Sequence, residues 1–179
     1  MSGVWEMPFF KHSKHRALRT VLSGWQTAGT YMWQRGTPIT VTGTNGLSGA
    51  GFAVQQPNRV QGVPAGIDTG TAEQNARNGR PWFNTSAFSV APAYTIGSAA
   101  RNYSDLRRDN YRNVNLSLSR NFRLTEKFRA QLRGELINAL NQVVFGTPGR
   151  DVTTPSTFGI ITTQGNTPRV VQLVLRITY

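Results

Sequence analysis

Apolar and polar residues alternate over Asn113–Leu124. Val114, Leu116, Leu118, Phe122 and Leu124 take the even positions, broken only at Arg120, while Asn113, Asn115, Ser117, Ser119, Asn121 and Arg123 take the odd ones. A two-residue period is that of a strand with one dry and one wet face. Its length reaches the ~9–11 residues that a strand needs to cross a membrane. The next segment repeats the pattern, with Phe128, Ala130, Leu132, Gly134 and Leu136 on one face and Arg129, Gln131, Arg133 and Glu135 on the other. Only a short connection around Leu124, Thr125 and Glu126 separates the two, so they are expected to pair as an antiparallel hairpin. At the C-terminal end Val171, Leu173, Leu175, Ile177 and Tyr179 alternate with Gln172, Val174, Arg176 and Thr178. Upstream, Gly24–Val41 predicts a long strand with Trp25, Tyr31 and Trp33 on one face and Gln26, Ala28, Thr30, Met32 and Gln34 on the other. A cut-off strand is expected over Ser2–Phe9, ended by Pro8, which a strand interior would not tolerate. One short turn helix is expected over Ser13–Leu22, capped by Ser13.

The connections alternate in length. Residues 42–109 and 142–168 form long, Gly-, Pro-, Asn- and Thr-rich connections, whereas the one near Thr125 is a tight turn and the one over 10–23 is intermediate. Long loops at one end of the strands and short turns at the other is the plan of outer-membrane barrels. The fold class expected is therefore all-β: an antiparallel meander of about five long transmembrane strands, a partial barrel with long outer loops and one short turn helix. Val114, Leu116, Leu118, Phe128, Leu132 and Leu136 are the expected lipid-facing residues, joined by Ala130, Leu173 and Leu175. Asn115, Ser117, Arg129, Gln131, Arg133 and Glu135 are expected to face the lumen. Aromatic residues mark the strand ends (Trp25, Tyr111, Phe122, Phe128 and Tyr179), as interfacial girdles do. With Tyr179 at the inner rim, the segment over 169–179 would run inward, 126–141 outward, 111–124 inward and 24–41 outward. A soluble sheet half-buried against a partner layer would show the same alternation and stands as the alternative.

Composition sharpens this choice. Charged residues make up 16% of the chain and apolar ones 38%, with mean hydropathy −0.37. No apolar run approaches the ~18 residues of a membrane helix, which excludes a helical membrane protein and leaves a barrel open. There is no cysteine, so disulfides and thiolate metal sites are excluded. Lys and Arg outnumber Asp and Glu by 20 to 8, a formal charge of +12. That excess raises a polyanionic partner, so the alternative function is a soluble basic β-rich module that binds nucleic acid or another polyanion. The densest cluster is Arg101, Arg107, Arg108 and Arg112, interleaved with Asp105 and Asp109, and reads as a solvated loop of mixed charge. The N-terminus lacks the order of a secretory signal, since its basic residues follow its apolar ones. The chain is accordingly expected to be unexported or to begin partway through a longer one.

No catalytic constellation is expected. His12 and His15 share a Lys-rich turn without acids to complete a metal shell. Gly46, Gly49 and Gly51 lack the strand–turn–helix setting of a phosphate loop. Glu135, on a face otherwise rich in Arg, is expected to form a salt bridge with Arg133, Arg129 or a neighbouring strand. Asn138 and Asn141 are expected to end the strand and begin the turn. The reading is a non-enzyme with no cofactor and no metal.

Several segments in order carry a family resemblance. They are Trp5-Glu6-Met7-Pro8-Phe9, Gly24-Trp25-Gln26 with Tyr31, Gly36 and Pro38, then Trp82-Phe83-Asn84-Thr85-Ser86-Ala87-Phe88 and Gly97 through Arg101-Asn102. They continue with Asn121-Phe122-Arg123-Leu124, Glu135-Leu136-Ile137-Asn138-Ala139-Leu140-Asn141 with Phe145-Gly146, Thr157-Phe158-Gly159 and the closing 172–179. Over essentially its whole length the chain resembles the C-terminal barrel part of Oar-like TonB-dependent outer-membrane receptors. The resemblance implies a transporter barrel of roughly twenty-two strands with a plug, for which residues 1–179 would be one segment of the wall. The implied partners are outer-membrane lipid, the rest of the same barrel and its plug, the TonB system through N-terminal parts outside this chain, and the barrel-assembly machinery, with no nucleic acid. Val171, Leu173, Leu175, Ile177 and Tyr179 resemble the strand signal that this machinery reads, although Val174 stands where that signal often has glycine.

Overall fold

The computed structural model describes residues 1–9, 15, 23–51 and 54–179. The helix expected over Ser13–Leu22 lies outside the described residues, apart from His15. In chain order the elements are β1 (Ser2–Glu6), β2 (Trp25–Gln34), β3 (Asn58–Arg59), α1 (Thr69–Arg77), β4 (Phe88–Ser89), β5 (Tyr111–Arg123), β6 (Arg129–Ile137) and β7 (Val170–Thr178), with single 3-10 turns at Leu47–Ala50 and Thr85–Ala87. Strands β1, β2, β5, β6 and β7 form one five-stranded sheet in that order, while β3 and β4 form a small ladder of their own.

The large sheet is an antiparallel meander, as the alternation predicts. Val4 faces Ala28 across β1 and β2, Leu116 faces Leu136 across β5 and β6, and Leu132 faces Leu175 across β6 and β7. Between β2 and β5, Trp25 meets Arg120 and Gly29 meets Leu116. Positions thus rise along one strand as they fall along the other. At ~3.4 Å per residue and a tilt of ~40°, a strand as long as β5 crosses ~34 Å, enough for the ~30 Å hydrocarbon core. The β5–β6 turn closes where the N–H groups of Leu124 and Thr125 both reach the Phe128 carbonyl, at 3.0 and 3.2 Å.

The chain divides into two compact units. One comprises Met1–Gln34, Arg112–Gln142 and Thr167–Tyr179, the sheet; the other comprises Arg35–Tyr111 and Val143–Asn166. The second unit is where the chain departs from expectation. The strand expected over 24–41 ends at Gln34, and the long connections are not irregular loops. Ile39 and Val41, which seem to extend the strand, are the buried centre of a separate hydrophobic core with Trp82, Phe83, Phe88, Leu106, Val152 and Phe158. Gly36 makes this exit possible, because a Cβ there would overlap the Arg108 carbonyl. Beyond it, Ile39 N–H donates to the Leu106 carbonyl and Arg108 N–H to the Thr37 carbonyl, both at 3.0 Å. The second long connection joins the same core, with Val152 N–H donating to the Thr42 carbonyl at 2.9 Å. Helix α1, which no periodicity announces, is started by the Asp68 carboxylate accepting from Gly70 N–H at 3.1 Å.

Candidate functional site

The cross-strand register sorts the sheet into two continuous faces. On one, Leu116, Leu136 and Val171 share a row, followed by Leu118, Gly134 and Leu173, then Arg120, Leu132 and Leu175, then Phe122, Ala130 and Ile177. Gly29 extends the first row into β2, since a Cβ there would point at Leu116 Cδ2, 3.2 Å away. This places Trp25, Tyr31 and Trp33 on the same apolar face. Its aliphatic residues are open to their surroundings: Leu173 is 81% exposed and Leu175 65%, and Leu116, Leu118, Leu132 and Leu136 are exposed too. Every side chain of the hydrophobic core lies instead in the second unit. A soluble sheet would bury such a face, because leaving it in water forfeits ~25 cal/mol per Å².

Aromatic rings concentrate near the ends of this face. Phe128 and Tyr179 pack at 6.1 Å between centroids, tilted by 38°, at the end of the sheet that also holds Trp25 and Phe122. Tyr31 and Trp33 lie toward the other end, while Tyr111, which opens β5 there, falls by parity on the opposite face. Arg120 interrupts the apolar positions of β5 between Leu118 and Phe122, and the structure accommodates it by stacking. Its guanidinium lies 4.6 Å from the Phe122 ring centroid and 5.9 Å from that of Trp25, and the residue is only 7% exposed. Cation–π contacts of this kind contribute up to ~2 kcal/mol when desolvated.

The opposite face is mostly polar, interrupted by Val174, opposite Arg133, and by the Ile137–Val170 pair. Ser117, Glu135 and Gln172 share one row, Asn121, Gln131 and Arg176 another, and Arg123, Arg129 and Thr178 a third. Glu135 pairs with Arg133 on its own strand at 2.6 Å. Both groups are partly exposed, so the pair contributes at most ~1 kcal/mol. Asn115 sits on the same face, where its Oδ1 accepts from Asn138 N–H at 3.0 Å.

The remaining sequence candidates resolve into structural roles. Asn138 and Asn141 both take φ 51°, a conformation that Asn tolerates better than most residues. Asn138 is 2% exposed. Its Nδ2 donates to the carbonyls of Gln142 at 2.9 Å and Thr167 at 3.0 Å. Asn141 Oδ1 accepts from Arg169 N–H at 3.4 Å. Within the arginine cluster read as a solvated loop of mixed charge, Arg101, Asp105 and Arg108 are exposed, while Arg107 and Asp109 are more tightly held. Arg107 donates to the Gly36 carbonyl at 2.9 Å and to the Ser104 carbonyl at 3.1 Å. Asp109 is buried and accepts from Phe145 N–H at 2.9 Å. Asp105 accepts from Gly66 N–H at 3.1 Å. Arg59, which drew no attention in the sequence, lies over the rings of Phe88 and Tyr103 at 5.3 and 5.6 Å and donates to the Ala87 carbonyl at 2.9 Å. Among the described residues no three His, Asp or Glu side chains gather where they could hold a metal, and no helix is long and apolar enough to cross a membrane.

No curated protein and no solved structure matches the chain. A family model does: the outer membrane beta barrel domain matches residues 1–172, which takes in β1, β2, β5, β6, the start of β7 and both long connections. The chain belongs to the outer membrane β-barrel domain family, and its place is the bacterial outer membrane.

Proposed function

We propose that the chain is part of the wall of a TonB-dependent outer-membrane transporter and that it catalyses no reaction. The observation that carries the reading is the pair of faces. An exposed aliphatic face bordered by aromatic rings suits lipid, and a face of Asn, Ser, Gln and Arg suits a wet lumen. In this reading Val114, Leu116, Leu118, Phe128, Leu132 and Leu136 meet acyl chains, while Asn115, Ser117, Arg129, Gln131, Arg133 and Glu135 line the interior. Among the described residues the end strands β1 and β7 each have a single neighbour in the sheet. Five strands cannot close, since even the smallest barrels use ~8, so further strands of the same protein would complete the wall. A plug within that wall, TonB on the periplasmic side and the assembly machinery acting on Val171, Leu173, Leu175, Ile177 and Tyr179 are the partners this reading assigns. The order of the segments from Trp5 to Tyr179 supports the transporter class. The soluble polyanion-binding alternative would require a cover for the apolar face.

The test has two stages. The full-length protein that carries this wall segment should fractionate with the outer membrane and show heat-modifiable migration, and in energised cells it should cross-link to TonB. A folded barrel that never cross-links would keep the wall and remove the transporter.

A further inference from the structure

The end of the polar face nearest the β5–β6 turn gathers positive charge. Arg123 lies directly across from Arg129, and Arg129 lies across from Thr178, with Arg176 one step along β7 and paired to Gln131. Directly opposed residues hold their Cβ atoms ~5 Å apart and diagonal ones ~7–8 Å. All three arginines line one cavity of about 470 Å³ together with Asn121, Gln131 and Thr178. Like charges facing each other across a ladder oppose strand pairing. Among the described residues no carboxylate relieves them. Glu135 is engaged by Arg133, and Glu126, in the adjoining turn, forms no ion pair with them.

We infer that Arg123, Arg129 and Arg176 form a binding site for a small, multiply charged oxyanion, a phosphate- or carboxylate-bearing solute, on the inner surface of the wall. Guanidinium forks match the planar geometry of carboxylates and the oxygens of phosphate, and two or three together hold more than one oxygen. Asn121, Gln131 and Thr178 add neutral donors without adding negative charge. The cavity lies in the size range of small-ligand sites, ~300–1,000 Å³. An acyl-chain lipid is disfavoured, because the site is on the face opposite the exposed leucines. The inference rests on the wall reading for the identity of that face.

The experiment titrates detergent-purified protein, already shown by heat-modifiable migration to be folded, with pyrophosphate and separately with citrate in a calorimeter. At least one should bind saturably and more weakly as salt rises. The Arg123→Gln/Arg129→Gln/Arg176→Gln variant should bind at least tenfold more weakly, and Arg108→Gln/Arg150→Gln, in the other unit, should bind as the parent does. On the unaltered protein, pyrophosphate should slow phenylglyoxal modification of Arg123, Arg129 and Arg176 severalfold while sparing none of the other exposed arginines. This second measurement decides the matter if the triple variant fails to assemble. No saturable binding, equal loss in both variants or indiscriminate protection would overturn the inference. So would binding seen only with phosphatidylglycerol vesicles or only with oligonucleotides. Because only folded barrel is titrated, these failures leave the wall reading standing, whereas failure of the protein to assemble removes both.

Discussion

Asn115 on β5 accepts a hydrogen bond from the backbone N–H of Asn138, 3.0 Å away at the end of β6. The bond fastens the point where the chain leaves the sheet. The Asn138 side chain then makes three more bonds, donating to Gln142 and Thr167 carbonyls and accepting from Gln142 N–H at 2.9 Å. Asn138→Gly keeps the φ of 51° accessible but deletes those three side-chain bonds, and at ~0.5–1.5 kcal/mol each should cost ~2–4 kcal/mol. Asn138→Leu should cost more, because a branched side chain is strained at that φ. Unfolding in urea, followed in detergent by loss of the heat-modifiable form, would read both; equal stability of Asn138→Gly and the parent would contradict the assignment.

The two faces should respond differently to charge. Leu116→Arg or Leu173→Arg places a guanidinium on the apolar face and should cost ~2–4 kcal/mol near the bilayer midplane. Ser117→Arg should cost far less, because Ser117 faces Glu135 on the polar side. The comparison is the urea midpoint of each variant in lipid vesicles, and equal shifts on the two faces would remove the lipid and lumen assignments together.

Expressed by itself without detergent, the chain should not yield a soluble monomer. Its end strands leave backbone edges unpaired, and Leu173, Leu175 and Ile177 lie open on the surface. Analytical ultracentrifugation and thermal melting in buffer would check this, and a monodisperse, cooperatively melting species would revive the soluble reading.

What the sequence revealed follows from how each part is stabilised. In β5, β6 and β7 one face is mostly apolar and the other mostly polar, so the period-two signal survives in a single sequence and sets both pairing and face. The second unit has no such period. Its core is assembled from scattered residues, Ile39, Phe83, Leu106 and Phe158, brought together by close approaches such as Gly97 against the Gln56 carbonyl. Ile39 and Val41 misled because two apolar residues after a strand look like its continuation. Asp109 and Arg107 looked solvated because their partners are backbone groups of distant segments, Phe145 N–H and the Gly36 carbonyl. The arginine triad was half visible: Arg129 stood out on the polar face, but its opposition to Arg123 and nearness to Arg176 depend on register.

The second unit should lose stability without loss of the sheet. Phe83 is fully buried and meets Phe158 edge-on at 5.2 Å, so Phe83→Ala should cost that unit ~3–5 kcal/mol. Limited proteolysis of intact cells should then cut within 35–111 or 143–166 at least tenfold faster, while the strands keep their heat-modifiable form. Unchanged cleavage would show that the buried cluster does not hold the connections together.

Tyr179 gives the sharpest test of how the wall reaches its place. Its ring lies 6.1 Å from that of Phe128, on the neighbouring strand and the same end of the apolar face. At a membrane interface an aromatic ring can keep its body in lipid and its hydroxyl in water, and a strand recognised during assembly must present such a ring before it pairs. Both roles require an aromatic ring, and neither tolerates a charge. Tyr179→Phe should therefore assemble close to normally, Tyr179→Ala should reduce the folded protein in outer-membrane fractions several-fold, and Tyr179→Asp should reduce it further. Removing the exposed loop residue Gly49, whose neighbourhood is open, should leave the yield unchanged. Heat-modifiable migration in outer-membrane fractions, normalised to total protein made, ranks the four variants. Normal assembly of Tyr179→Asp would show that this strand end takes no part in insertion, and the assembly role given to Val171, Leu173, Leu175, Ile177 and Tyr179 would fall with it.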